Sequence, residues 1–184
     1  MKYSLRIAPR ALLALALPLA LMVSPLRADQ SPASAAGPTS LSEQVRHELV
    51  MLPFYSVYDD LSYEVSGDTV TLSGAVTRPT LKSDAEAVVK RLEGVSKVDN
   101  QIVVLPLSTF DNQVRRAVYL ALFSSNSPLF RYALGSDPSI HIIVDSGHVT
   151  LKGFVSSQAD KTIAEMYVKG MFGVFSVTNQ LTVS

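Results

Sequence analysis

The chain has 184 residues, no cysteine, 47% apolar and 17% charged residues, and a formal charge of zero. That length allows one medium domain or two small ones, and the composition is that of a globular chain. Without cysteine there is no disulfide, no thiol catalysis, no Cys-based zinc site and no lipid-modified N-terminal cysteine.

The charge is unevenly placed. Lys2, Arg6, Arg10 and Arg27 are the charged residues of the first 28, and the remainder carries 12 basic and 16 acidic residues, a net charge of −4. A mildly acidic body argues against a nucleic-acid binder, which needs basic surface to neutralise phosphates. Residues 1–28 have the layout of a secretory signal peptide: a positive start, the 13-residue apolar run Ala11 to Val23, then Ser24 and Pro25 and the small Ala28 before a cut. The run is short for a bilayer span, which takes about 20 apolar residues. Ser34-Ala35-Ala36 offers a second cleavage site farther from the run, and an uncleaved anchor is the rival reading. Residues 29–39, rich in Ser, Ala, Pro and Gly, read as a flexible leader.

From residue 40 the elements follow in order. Ser40-Leu41-Ser42-Glu43 fits a capping box at a helix start, Val45, Leu49 and Leu52 follow at helical spacing, and Pro53 stops the helix. Leu61, Tyr63 and Val65 alternate with polar residues as one face of a strand. Gly67-Asp68 makes a turn, and Val70, Leu72, Gly74 and Val76 form the return strand of a hairpin. Pro79 opens a second helix with the stripe Leu81, Ala85, Val88, Val89 and Leu92, and Gly94 fits its left-handed end. Val95, Val98, Ile102 and Val104 lead into a third strand. The order is α-β-β-α-β, an α+β unit.

The unit then recurs. VTLSGAV from Val70 falls on VTLKGFV from Val149. In that same register Ala85, Val89 and Gly94 fall on Ala164, Val168 and Gly173, and Val95, Val98, Asn100 and Gln101 fall on Val174, Val177, Asn179 and Gln180. Upstream the register shifts, so that Gln44-Val45-Arg46 falls on Gln113-Val114-Arg115 and the second copy carries about ten extra residues. The copies span residues 40–106 and 107–184. Ser157 and Asp160 can cap the second copy's second helix, and Gly173 is expected to end it. Units of this size have small cores, which favours docking of one copy on the other.

The paired motifs resemble the BON domain: V-x-L-x-G-x-V at Val70-Leu72-Gly74-Val76 and Val149-Leu151-Gly153-Val155, then Gly94-Val95 with Val98-Asp99-Asn100 and Gly173-Val174 with Val177-Thr178-Asn179. The resemblance implies that each copy is a three-stranded mixed sheet with two helices packed on one face. It also implies a periplasmic protein of envelope or osmotic stress that binds phospholipid surfaces or envelope proteins without chemistry or cofactor. A protein–protein or chaperone-like role without lipid contact is the alternative. Gly74 and Gly153 would permit a bulge or close backbone approach, and Asn100 and Asn179 would bond the backbone near the last strand.

No catalytic constellation stands out. There is no G-x-S-x-G, P-loop or G-x-G-x-x-G, and no small-molecule substrate is evident. His141 and His148 lie on the two arms of one hairpin, where they could be neighbours with Asp145 nearby, but solvent-facing imidazoles are the simpler reading and no metal is expected. His47 and the Asp59-Asp60 pair are expected in solvent. The most unusual stretch is Val118 to Tyr132. Its helix is apolar nearly all round, and Leu129, Phe130 and Tyr132 stand beside Arg131 in the extra segment. Such a loop could enter a lipid interface, with Arg115 and Arg116 meeting phosphates and Tyr119 and Phe123 adding apolar surface; the competing reading buries these side chains. Phe54, Tyr55 and Tyr58 raise the same question in copy one.

Export is directly measurable. The secreted chain is expected to begin at Asp29, by intact mass and N-terminal sequencing of the periplasmic fraction. Recovery of residues 1–28 in the membrane fraction would establish the anchor instead.

Overall fold

The computed structural model describes residues 40–134 and 138–184. The export segment and leader lie outside the described residues. The capping box forms as expected at helix α1 (Leu41–Val50): the Ser40 hydroxyl accepts from the Glu43 amide and the Glu43 carboxylate accepts from the Ser40 amide. Strands β1 (Asp60–Ser66) and β2 (Thr69–Val76) pair antiparallel, with Tyr63 opposite Leu72. Helix α2 (Pro79–Val89) opens on its proline. Two short strands, β3 (Lys97–Asn100) and β4 (Val103–Val104), together take the third place, both parallel to β2.

The second copy repeats this with helix α3 (Thr109–Phe123), a 3-10 turn at Phe130–Ala133, and strands β5 (Ile140–Asp145) and β6 (His148–Val155). Helix α4 (Gln158–Val168) follows, and β7 (Ser176–Val183) runs unbroken and parallel to β6. The Ser157 hydroxyl caps α4 by accepting from the Asp160 amide. Each copy is thus a mixed sheet with a pair of helices packed on it, and the fold class is α+β.

Equivalent residues do equivalent work. Gly74 and Gly153 both hold φ near +110°, and a Cβ on either would run into the carbonyl oxygen of its cross-strand neighbourhood, Asp60 in one copy and Ser139 in the other. Asp60 and Ser139 are themselves equivalent in the repeat register. Asn100 donates to the Lys82 carbonyl at 2.9 Å and accepts from the Ile102 amide at 3.2 Å. Asn179 donates to the Lys161 carbonyl at 2.8 Å and accepts from the Leu181 amide at 3.2 Å. Each asparagine therefore ties the second helix to the last strand. The left-handed ends differ from expectation. Gly94 and Gly173 have positive φ but sit in a further turn beyond each helix, while Gly170 directly follows the C-cap of α4.

Two cores form. Val45, Leu49, Leu72, Leu81, Ala85 and Ile102 centre the first; Val118, Leu122, Ile142, Leu151, Ala164 and Leu181 centre the second. Val57, from the connection ahead of β1, is buried in the second core, and its carbonyl accepts from the Ile142 amide at 2.7 Å. Tyr58 stands edge-on to Tyr119 with centroids 6.2 Å apart, and burial pushes its phenol pKa up. The segment of copy one that precedes β1 thus flanks the edge strand β5 of copy two.

That seating corrects the expectation that Asp59 and Asp60 are solvated. Both are buried. Asp59 accepts from the Thr77 amide at 2.6 Å, the Thr77 hydroxyl at 2.8 Å, the Ser56 amide at 3.1 Å and the Ser56 hydroxyl at 2.6 Å. A buried carboxylate needs that many donors. Asp60 pairs with Lys152 of copy two, Nζ to Oδ2 at 2.5 Å.

The glycine contacts yield a measurable cost. Gly74→Ala and Gly153→Ala should each destabilise the protein by about 2–4 kcal/mol, from backbone strain and overpacking together. Urea unfolding checks this; an unchanged midpoint for either would contradict the close approach.

Candidate functional site

The structure separates the side chains that the sequence grouped as a contact surface. Arg115 is buried, donating to the Val144 carbonyl at 2.6 Å and to Asn112 at 2.7 Å. Burial lowers its pKa against the pull of Asp111 and Asp59 nearby. It is a structural cation, whereas Arg116 is exposed. Tyr119 is half-buried between Tyr58 and Phe123, and Phe123 is buried, so the helix that looked apolar all round packs into the core of its own copy, with Val57 and Tyr58 of copy one added to it.

Of the two readings of the extra segment, burial prevails and no aromatic patch forms there. Leu129 belongs to the core and Tyr132 is 7% exposed, leaving Phe130 and Arg131 at the surface. Tyr132 is held inside by its hydroxyl, which accepts from the Ser156 amide at 2.8 Å and donates to Asp160 at 2.9 Å. Arg131 donates to the same carboxylate at 2.7 Å and lies over the Tyr132 ring. Ser156 is the repeat equivalent of Thr77, so this network replaces in copy two the amide acceptor that Asp59 supplies in copy one.

Nor do the histidines meet. His141 lies opposite Lys152 and His148 opposite Asp145, at different ends of the hairpin. Among the described residues no three His, Asp or Glu side chains gather as metal ligands. His47 is exposed. Phe54 is exposed beneath the Arg78 guanidinium, and Tyr55 packs beside His141.

A different aromatic cluster stands at the surface, between α4 and β7. Phe172 is 98% exposed and Phe175 70% exposed, and Phe175 stacks on the 40% exposed Phe110 at 6.0 Å. The cluster has a firm base. Asp111, beside Phe110, accepts from the Ser146 amide at 3.0 Å and the Gly147 amide at 2.8 Å, fixing the β5–β6 turn to the start of α3. The Phe175 amide then donates to the Gly147 carbonyl at 2.9 Å, and its ring covers Gly147 so closely that a Cβ there would meet it at 2.7 Å. Lys169, exposed, opens the same loop.

Copy one builds the same loop from polar residues. The Ser96 amide donates to the Asp68 carbonyl at 2.9 Å, the counterpart bond in the repeat register. There the Ser96 hydroxyl donates to the Asp68 carboxylate, holding its pKa below the usual range. Glu93 and Ser96 occupy the places of Phe172 and Phe175. The sequence held this signal: the two copies, laid over each other, differ here by an acid and a hydroxyl exchanged for two phenylalanines.

A family model described as BON domain matches residues 39–106 and 130–184. The chain belongs to the BON-domain family. The second match begins after α3, so that helix and the segment behind it are where copy two departs furthest from the BON pattern. Osmotically-inducible protein Y of Escherichia coli (strain K12) is 33% identical over 126 residues, covering 66% of this chain and 61% of that protein. The chain therefore spans less than two thirds of that relative's length. Among solved structures, the C-terminal domain of CdsD, the structural protein of the type III secretion system of Chlamydia trachomatis, aligns at 14% identity with a TM-score of 0.31, over 80% of this chain and 99% of that one. A second CdsD structure gives 14% and 0.32, over 78% and 92%.

The Asp160 network of the second BON domain carries a pH dependence. The Ser157 hydroxyl above all, with Tyr132 and Arg131, holds the Asp160 carboxyl below the usual carboxylate range. A depressed folded value stabilises where the carboxylate is charged in both states, and that stability decays as pH falls below about 4, the unfolded value. Asp160→Asn should cost about 1–3 kcal/mol at pH 7, with the difference from wild type shrinking in thermal melts toward pH 3. A gap that stays constant with pH would contradict the depressed value.

Proposed function

We propose that this BON protein is an exported, non-enzymatic protein of the periplasm that attaches to phospholipid surfaces through the Phe172–Phe175 loop of its second domain, in support of the envelope under osmotic stress. The observation that carries the reading is an aromatic cluster standing in solvent on a rigid base, present in one copy and replaced by Glu93 and Ser96 in the other. Exposed apolar groups gathered in one place mark interaction surfaces, and aromatic rings flanked by lysine suit the boundary between headgroups and acyl chains. The osmotic setting is supported by the likeness to osmotically-inducible protein Y. The periplasmic setting is supported by the export-like layout of the chain's start and by the family.

Among the described residues no helix is long and apolar enough to cross a membrane. Contact through these residues is therefore at the surface, by insertion of side chains. Because the body is net acidic, apolar burial supplies the affinity and long-range electrostatics supplies little of it. Burying one phenylalanine is worth about 1.5–3 kcal/mol, roughly ten-fold or more in affinity.

Co-sedimentation with phosphatidylethanolamine–phosphatidylglycerol vesicles is expected to retain the chain beginning at Asp29. Phe172→Ser should reduce retention by at least ten-fold with an unchanged melting temperature, since Phe172 is 98% exposed; adding Phe175→Ser should reduce it further, with some loss of stability from the stacking on Phe110. Absence of wild-type binding, in protein shown to be folded, would defeat the reading in favour of a protein partner. Full retention by the double variant would move the contact off this loop.

A further inference from the structure

A cleft of about 540 Å³ lies between the two domains and shares no lining residue with the aromatic loop. Helix α1 and strand β1 form one side of it, the ends of β6 and β7 the other. Its size is that of a small-molecule site, and domain boundaries are where such sites concentrate.

The charges in the cleft do not cancel. Asp60 and Lys152 neutralise one another. Arg46, exposed and lining the same cleft, makes no side-chain hydrogen bond or ion pair among the described residues. The duplication shows what it is free from. Its counterpart Arg115 spends its guanidinium on the Val144 carbonyl, tying α3 to β5. In copy one the helix–strand tie is made by the Tyr63 hydroxyl, which donates to the Ser42 carbonyl at 2.9 Å. Tyr63 stands where copy two has Ile142, which has no hydroxyl to offer. Tyrosine thus takes over the structural task and leaves the arginine in the cleft without one.

The rest of the lining is apolar in part: Leu61, the Tyr63 ring, and Phe154, 60% exposed. We infer that the cleft between the two BON domains binds a small amphipathic anion, with its oxyanion head on Arg46 and its apolar portion against Leu61, Tyr63 and Phe154. A guanidinium presents a planar fork of donors that fits phosphate and carboxylate alike, two oxygens at once. The shared chemistry is an oxyanion on a short hydrocarbon chain; whether phosphate or carboxylate is preferred is read from the probes.

The test is a titration of the protein, purified from its host, by amide chemical-shift changes. The probes are hexyl phosphate, hexanoate and inorganic phosphate. At least one chain-bearing probe should bind saturably, shift amides in α1, β1 and β6, and bind ten-fold or more tighter than inorganic phosphate. Arg46→Gln should weaken that binding by ten-fold or more without moving the melting temperature, because Arg46 holds nothing in place. Phe154→Ser should weaken it several-fold. Vesicle retention through Phe172 and Phe175 should be unaffected by Arg46→Gln, which separates this site from the membrane contact. Three results would overturn the inference: no saturable binding of either chain-bearing probe, affinity no better than that of inorganic phosphate, or binding indifferent to Arg46→Gln.

Discussion

The 2.7 Å hydrogen bond from the Ile142 amide to the Val57 carbonyl, with the Val57 side chain buried in the neighbouring core, makes one object of two repeats. Strand β5 is the edge of its sheet, and an edge leaves backbone donors and acceptors in need of partners. The connection of copy one meets part of that need. To lie there it carries Asp59 into the interior, and Ser56 and Thr77 supply the four donors that make a buried carboxylate tolerable. Tyr58 against Tyr119 and Asp60 against Lys152 follow from the same placement. Units of 67 and 78 residues have little core to spare, so the Val57 that copy one lends to the core of copy two is a gain in burial.

Once the copies are joined, their equivalent positions are released to differ. The asparagine ties and the close approach under Gly74 and Gly153 persist in both, because the first holds helix to strand and the second holds strand to strand. Positions that hold no such contact have changed. Asp68 and Ser96 bond to each other in copy one, while the same backbone bond in copy two carries a phenylalanine packed on glycine. Arg115 is internal and Arg46 is not. A common scaffold therefore presents an aromatic surface at one end and a cationic cleft at the junction.

The periodic and local features were legible in the sequence. The capping box at Ser40, the alternation of Leu61, Tyr63 and Val65, Pro79 at a helix start and the register that lays Val70 on Val149 all depend on neighbours within a few positions or on direct repetition. What could not be read was the identity of distant partners. Asp59 and Asp60 looked solvated because nothing adjacent announces Thr77 or Lys152, 18 and 92 residues away. Leu129 and Tyr132 could be read as surface or as core because the acceptor that Ser156 requires is 24 residues upstream of it. Nothing local marks Phe172 and Phe175, since composition does not tell a buried ring from an exposed one. Comparison of the copies residue by residue does.

The loop that bears those rings turns through Gly170 and Gly173, both at positive φ, and Gly173 is pressed so closely beneath α3 that a Cβ would meet Val114 at 3.0 Å and Phe110 at 3.2 Å. Its shape is settled when the chain folds. A flexible loop would surrender conformational entropy on each encounter with a ligand or an interface, about 1–2 kcal/mol for every residue newly fixed. Here that loss has already been taken, and the rings arrive preorganised.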